Sequence, residues 1–429
     1  MPKPGDRVKI STIDEVLEGI LMPNEETDTV VIKLDNGYNV GIDKKKIKKI
    51  DVIEEYKMIK VKEEKILKKN PKLPNITILH TGGTIASKVD YKTGGVVARF
   101  SPVELVAMFP ELKKIANIES KLIANMWSDD LRVEHFGVIA KAVKEEYSNG
   151  AAGVIIGMGT DNIAVGAAAL AFIIEKCPIP VLFVGAQRSS DRGSSDAGTN
   201  LICAASFIAK SDFAGVALCM HASSADTKCV ILPACKTRKL HTSRRDAFKP
   251  VNDTAIAEVD YKTGKIMFIK KDYPKKKEDE MIIKPKMETK VGLIKISINM
   301  YPEQFEPYKK FKGVVIEGTG LGHTPGDVID DITKVHAKIK KLLKDITEKS
   351  VVVMTSTCLF GRVGMNVYSK GRDLQALGII SGEDMLPETA LVKLSWLLGN
   401  YSVKEAKELI AKNLRGEISD RTEVKEKFI

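Results

Sequence analysis

The chain has 429 residues, 44% of them hydrophobic, which exceeds one ordinary core and reads as two or three globular domains. No apolar run is long enough to span a bilayer, and the opening Met1-Pro2-Lys3-Pro4-Gly5-Asp6-Arg7 has no signal-peptide core, so membrane and secretory classes are set aside and a cytoplasmic location is expected. The net charge of +11 accompanies abundant lysine and glutamate and scarce glutamine; it fits a heat-adapted surface as well as one that tolerates an RNA-bearing partner, and by itself defines no RNA-binding protein.

Residues 1–50 read as a small β domain. Strand candidates at 7–10, 16–21 and 29–34 are rich in β-branched residues, and Asp35-Asn36-Gly37 supplies a hairpin turn into 38–42. A unit of this size resembles an SH3-like barrel. The run Lys44-Lys45-Lys46-Ile47-Lys48-Lys49 is either a solvated edge or a contact for RNA or a partner, the former being commoner. Residues 51–72, charged and closed by Asn70-Pro71, read as a linker.

From residue 73 the pattern changes to alternating strands and helices. Strands are expected at 75–80, 153–158, 180–185 and 215–220, with helices at 162–176 and 196–210. This alternation marks a doubly wound α/β domain over 73–271. A charged interdomain linker, 272–290, leads to a second α/β unit over 291–429. Its strands are expected at 291–297, 313–318 and 350–355, and its helices at 328–347, 388–398 and 406–413.

The six cysteines form no Cys-x-x-Cys pair and the six histidines show no ligand spacing, so neither a disulfide framework nor a metal site is expected.

Three segments carry chemistry. Thr81-Gly82-Gly83-Thr84-Ile85-Ala86 follows a strand, where glycines admit a ligand and a threonine presents its hydroxyl at the carboxyl edge of the sheet. A Gly-Gly turn in that place is more often structural. Gly157-Met158-Gly159-Thr160-Asp161-Asn162 puts a hydroxyl and a carboxylate at the same edge, although Asp161-Asn162 also suits a plain helix cap. Cys235-Lys236-Thr237-Arg238-Lys239, continuing to Asp246-Ala247-Phe248, gathers cations and hydroxyls with no regular period. A lone lysine there would ordinarily be surface.

In order and spacing these segments, together with Val184-Gly185-Ala186-Gln187-Arg188, resemble the bacterial-type L-asparaginase family over roughly 73–415. The resemblance implies an asparaginase-like two-domain α/β unit with Thr84, Thr160, Asp161 and Lys239 as catalytic residues. It further implies Ser128, Gly83, Gly159 and Tyr91 as substrate-binding residues. A threonine hydroxyl needs a neighbouring base, and a lysine serves as one only when its surroundings lower its pKa. Backbone N–H groups of the glycine turns would hold the tetrahedral oxyanion. We assign the attack to Thr84, with Thr160, Lys239 and Asp161 as its relay; the reverse assignment stays open.

The chain departs from free asparaginases in Met158 and Asn162, where that family often has His-Gly-Thr-Asp-Thr, and in its extra β domain. With Glu317-Gly318-Thr319-Gly320-Leu321-Gly322-His323 and Val367-Tyr368-Ser369-Lys370-Gly371-Arg372, these departures resemble the glutaminase subunits of archaeal-type tRNA-dependent amidotransferases. That resemblance implies glutamine as substrate and a homodimer within a heterotetramer. It also implies a larger, GatE-like kinase/transamidase partner that binds ATP and Mg2+, engages Glu-tRNA(Gln) and converts it to Gln-tRNA(Gln). No Walker-type loop is present, so no cofactor is expected in this subunit. The alternative reading is a cytosolic L-asparaginase with an accessory N-terminal domain. A catalytically silent RNA-binding scaffold is disfavoured by the complete threonine, aspartate and lysine set.

Overall fold

The computed structural model describes residues 2–24, 28–34, 39–55, 69–82, 87–89, 96–98, 108–188 and 195–422. The amino-terminal unit is one antiparallel sheet of β1 (Arg7–Thr12), β2 (Val16–Leu21), β3 (Thr29–Lys33), β4 (Asn39–Asp43) and β5 (Ile47–Glu54), in the order β4-β3-β2-β1-β5. Val8, Ile10, Ile32 and Ile42 form its core. β5 runs to Glu54, past the expected boundary at residue 50, because Val52 pairs with Val8 and Glu54 with Arg7 in the β1 register. The charged composition there hides an edge strand whose side chains are largely solvated. The expected turn at Asp35-Asn36-Gly37 lies outside the described residues.

The next domain is built on an eight-stranded sheet. In chain order its strands are β6 (Asn75–His80), β7 (Asn117–Leu122), β8 (Gly153–Gly157), β9 (Pro180–Val184), β10 (Gly215–His221) and β11 (Lys228–Pro233). A short hairpin of β12 (Thr237–Lys239) and β13 (Phe248–Pro250) stands apart, and β14 (Ala257–Asp260) and β15 (Ile266–Phe268) complete the sheet. The order is β15-β14-β11-β10-β9-β8-β6-β7, parallel from β10 to β7 and antiparallel beyond β10. All of β8 and β9 is buried, as continuous apolar strands covered on both faces require. Helix α1 (Val133–Ser148), which the sequence reading did not mark, buries Phe136, Ile139, Ala140 and Val143 along one stripe. Helices α2 (Ile163–Ile173) and α3 (Ala197–Lys210) complete the layers.

α2 ends before the expected residue 176. Ile174–Lys176 instead pairs antiparallel with Ile282–Ile283, so a strand partner far along the chain overrides local helical propensity. The same pairing changes the picture of the 272–290 linker. Ala214 N–H donates to Pro274 O at 2.9 Å, and Lys276 N–H donates to Asp212 O at 2.7 Å. Lys276 Nζ reaches the carbonyls of Ile208 (3.1 Å) and Ser211 (2.9 Å), where a cation suits a helix carboxyl terminus. The charged segment is thus fastened to the first α/β domain.

The carboxyl-terminal domain has a parallel sheet β16-β17-β18-β19, formed by Val291–Lys295, Gly313–Gly318, Val351–Ser356 and Ile380–Ser381. Its helices are α4 (His336–Thr347), α5 (Pro387–Asn400) and α6 (Val403–Ile410). α4 starts later than the expected 328 because Asp330 accepts the Thr333 N–H at 2.9 Å and holds a local turn before a short 3-10 stretch, Ile332–Val335. α2 is apolar all round since it lies between its own sheet and α5; Phe172 stacks on Trp396 with ring centroids 5.8 Å apart. One hydrophobic core therefore runs through both α/β domains. Among the described residues no helix is long and apolar enough to cross a membrane.

Candidate active site

The site forms at the carboxyl ends of β6, β8 and β9, where the loops of a parallel sheet converge. Thr81 ties β6 to β8: its N–H and its hydroxyl both donate to Gly157 O, at 3.0 and 3.1 Å. Gly82 has φ +110°, and a Cβ there would stand 2.3 Å from Met126 O, so only glycine lets the chain pass. Gly83, Thr84 and Tyr91 lie outside the described residues.

Thr160 and Asp161 occupy the turn between β8 and α2. Gly159 admits Ser128, for a Cβ at 159 would be 3.0 Å from the Ser128 Cβ and 3.1 Å from its hydroxyl oxygen. Ser128 is buried in a short 3-10 turn, Ser128–Asp130. Asn162 donates from Nδ2 to Ser128 O at 3.2 Å and to Asp129 Oδ1 at 3.1 Å, so its side chain ties two loops together and makes no cap bond to α2.

Lys239 arrives from the far side of the fold on β12. The hairpin with β13 is closed by Leu240 N–H donating to Ala247 O at 2.7 Å. Within the loop, His241 Nδ1 accepts the N–H groups of Ser243 and Arg244, both at 3.1 Å, and Arg244 grips Asp246 with two bonds of 2.8 and 2.9 Å. The Arg244 guanidinium holds the Asp246 carboxyl below the usual range. These local bonds, which have no regular period, explain why the segment showed neither helical nor strand periodicity in sequence. From this hairpin Lys239 Nζ donates to Thr160 Oγ1 at 3.0 Å and to Asp161 Oδ1 at 2.8 Å. The Lys239 side chain is 14% exposed and that of Asp161 65%, so the ion pair is wet on one side and dry on the other.

Thr160 Oγ1 donates in turn to Gln187 Oε1 at 3.2 Å. Gln187 lies in a segment quoted for the family resemblance, but the sequence suggested no task for it. Behind it the buried Asp196 accepts the N–H groups of Gln187 and Arg188 at 3.0 and 2.9 Å. His80, at the end of β6, is buried with Nε2 3.0 Å from Ser120 Oγ, and burial lowers its pKa to about 4, so it is neutral at pH 7.

The sequence also failed to signal two buried ion pairs. Lys236 Nζ lies 2.6 Å from Asp384 Oδ2 and joins the two α/β domains. Lys393 lies 2.6 Å from Glu417, with both side chains fully buried. Among the described residues no group of His, Cys, Asp and Glu could hold a metal ion. The six cysteines are free, four of them buried.

Three regions match known family models: residues 2–53 the GatD N-terminal domain, residues 75–273 the asparaginase N-terminal domain, and residues 290–410 the glutaminase/asparaginase C-terminal domain. The chain is 47% identical over 431 residues to the GatD component of glutamyl-tRNA(Gln) amidotransferase from Pyrococcus furiosus, covering 97% of this chain and 95% of that protein. It is 46% identical over 422 residues to the corresponding amidotransferase component of Methanococcus maripaludis, covering 97% and 98%. Among solved structures, the thermostable L-asparaginase of Thermococcus kodakarensis superposes with a TM-score of 0.70 at 28% identity, covering 80% of this chain and 99% of that one.

Proposed function

The chain belongs to the GatD family of glutamyl-tRNA(Gln) amidotransferase components, and from that membership we propose that it hydrolyses glutamine and passes the ammonia to a larger partner. It is an amidohydrolase of asparaginase-like fold acting within a ligase. The observation that carries the chemical reading is the bridge from Lys239 Nζ to both Thr160 Oγ1 and Asp161 Oδ1, made across the sheet edge by residues far apart in sequence.

In this reading Thr84 attacks the side-chain amide carbon of glutamine. Its proton passes to Thr160, and that of Thr160 to Lys239 in the unprotonated form, while Asp161 orients the lysine. Backbone N–H groups at Gly83 and Gly159 receive the oxyanion, and Ser128 with Tyr91 holds the substrate. The proton returns to the amide nitrogen as ammonia leaves, and water then cleaves the threonyl ester to glutamate and free Thr84.

The partner is a larger, GatE-like subunit that carries ATP and Mg2+, activates the glutamate on Glu-tRNA(Gln) and accepts the ammonia. Two copies of this chain sit in a heterotetramer in the cytoplasm. Since ammonia made without an acceptor is wasted, hydrolysis is gated by assembly.

The test is glutamine turnover by the chain alone, with its partner, and with its partner plus charged tRNA. A rise across the three is expected; equal turnover, or asparagine hydrolysed as fast as glutamine in the full assembly, would favour a free asparaginase.

A further inference from the structure

The turn that carries Gln187 is clamped by a buried polar chain. Asp196 holds its backbone, and Asn200, itself fully buried, donates from Nδ2 to Asp196 Oδ2 at 3.2 Å and to Gly185 O at 3.0 Å. His221 Nδ1 lies 2.7 Å from Asn200 Oδ1, and its Nε2 lies 2.9 Å from Asp226 Oδ1. Arg245, on the loop of the Lys239 hairpin, binds the same Asp226 oxygen at 2.6 Å. Such a connected chain in an apolar layer fixes the backbone it serves. These bonds hold the Gln187 backbone and leave its carboxamide, whose oxygen meets only Thr160 among the described residues, outside the clamp.

That side chain is only half satisfied. Oε1 accepts from Thr160, whereas Nε2 is shielded from solvent and has no hydrogen-bond partner among the described residues. A carboxamide presents an acceptor and a donor of nearly the same shape, and a half turn of its last torsion exchanges them. With the oxygen facing Thr160, the hydroxyl proton points at Gln187 and Lys239 must donate to Oγ1, as it does at 3.0 Å. With the nitrogen facing Thr160, Nε2 donates to Oγ1, and the hydroxyl proton is free to point at Lys239. Only the second polarity lets an unprotonated lysine take up the Thr160 proton.

We propose that Gln187 is a positioning residue for the hydrolytic relay, its carboxamide setting whether the Thr160 hydroxyl proton points away from Lys239 or toward it. The proposal rests on the reading of Thr160 and Lys239 as relay members. Gln187 itself neither gains nor loses a proton.

The test measures kcat and KM for glutamine across pH, using the full chain assembled with its partner, for the wild type, Gln187→Met, Gln187→Glu and Lys239→Ala. Methionine keeps the length but has neither amide group; glutamate keeps the shape and, once ionised, only accepts. Gln187→Met should lower kcat about tenfold, with KM within about twofold, the size of one lost aligned hydrogen bond. Gln187→Glu should move the rising limb of the pH–kcat profile up by about one pH unit, because a carboxylate near Lys239 favours the ammonium. A general packing defect would move neither the limb nor the balance between kcat and KM. Wild-type kcat in Gln187→Met, an unshifted Gln187→Glu profile, or a loss confined to KM would overturn the proposal, the last by placing the amide on the substrate. Undiminished hydrolysis by Lys239→Ala would overturn the relay itself. An inactive Lys239→Ala beside wild-type-like Gln187 variants would overturn the positioning role alone.

Discussion

Lys236 and Lys239 lie on the same short segment and each binds an aspartate within 3 Å, yet they belong to different parts of the protein's physics. Lys236 and Asp384 are 1% and 2% exposed, 2.6 Å apart, with the ammonium also bound to the Asp384 carbonyl at 3.1 Å. Lys239 and Asp161 are 14% and 65% exposed, 2.8 Å apart, with a threonine hydroxyl as the third member. The buried pair joins two domains and is sealed from solvent. The half-wet pair stands at the carboxyl edge of the sheet with its aspartate open to solvent. Distance does not separate the two pairs. Burial does, since desolvation costs the charged form of Lys236 and its pKa is lowered for that reason, with the Asp384 bond opposing.

The largest effect expected from this contrast is on activity. Lys239→Ala should lower glutamine hydrolysis by about a thousandfold or more while leaving the thermal midpoint within about 2 °C, as measured by ammonia release and a calorimetric melt. If a large fall in midpoint accompanies the lost activity, Lys239 is structural as well and the contrast fails.

Next in size is Lys236→Met, which strands the Asp384 carboxylate in the domain interface. Unfolding in urea should show a loss of about 3–4 kcal/mol, and restoring an uncharged partner with Asp384→Leu should recover much of it. A single variant as stable as the wild type would mean that water reaches the pair and that its burial carries no energetic weight.

His80 extends the comparison to a buried titratable group with no ion pair among the described residues. Its folded pKa, about 4, lies below the ordinary 6.5, so between those values the unfolded chain binds more protons than the native one. Its stabilising contribution is therefore complete above pH 6.5 and is lost as pH falls toward 4, by about 3 kcal/mol. Urea melts of wild type and His80→Gln across that range should diverge by this amount. Parallel curves would show that protonated His80 finds a partner.

The smallest effect is expected at Lys49 and Asp51, which lie 2.8 Å apart, the same spacing as Lys239 and Asp161, with side chains 69% and 46% exposed. Asp51→Asn should leave the unfolding midpoint within error, because exposed pairs are screened by water and salt. A clear shift would show that spacing matters more than burial, contrary to the contrast drawn from the two lysines.

The sequence was read most faithfully where a local pattern and its packing agree. Asn75–His80 and Gly313–Gly318 are strands with the bounds that the apolar runs suggested, because both are fully covered parallel strands. It was read least well where packing supplies the signal. β7, with Glu119 and Lys121 in its middle, does not look like a sheet strand, yet it pairs with β6 over its whole length. α1 carries a narrow apolar stripe among charges, and α2 stops early for a strand more than a hundred residues downstream. Thr160, Asp161 and Lys239 were singled out by motif; Gln187 stood in a quoted segment without a task, and Asp196 and Asn200 were not marked, since a polar residue at a turn, a helix start or a helix interior carries no sign in sequence that the fold will bury it.

The sequence alone determined the class of most parallel strands and helices of the two α/β domains and the two-part α/β plan behind a small β domain, and through its motifs it pointed to a hydroxyl, a carboxylate and an amine as candidates for amide chemistry. Strand and helix class follow from residue type and short-range period, which the chain carries wherever it goes. Only the tertiary structure decided which lysine would be sealed in the interface and which would reach Thr160. It also decided that the charged interdomain segment would be fastened down, and that a glutamine would stand with one end on the threonine and the other end without a hydrogen-bond partner among the described residues. Lys236 meets Asp384 across 148 positions of sequence, and Lys239 meets Thr160 across 79. Desolvation and counter-charge depend on what the fold brings alongside a group, and no local window of sequence contains that neighbour.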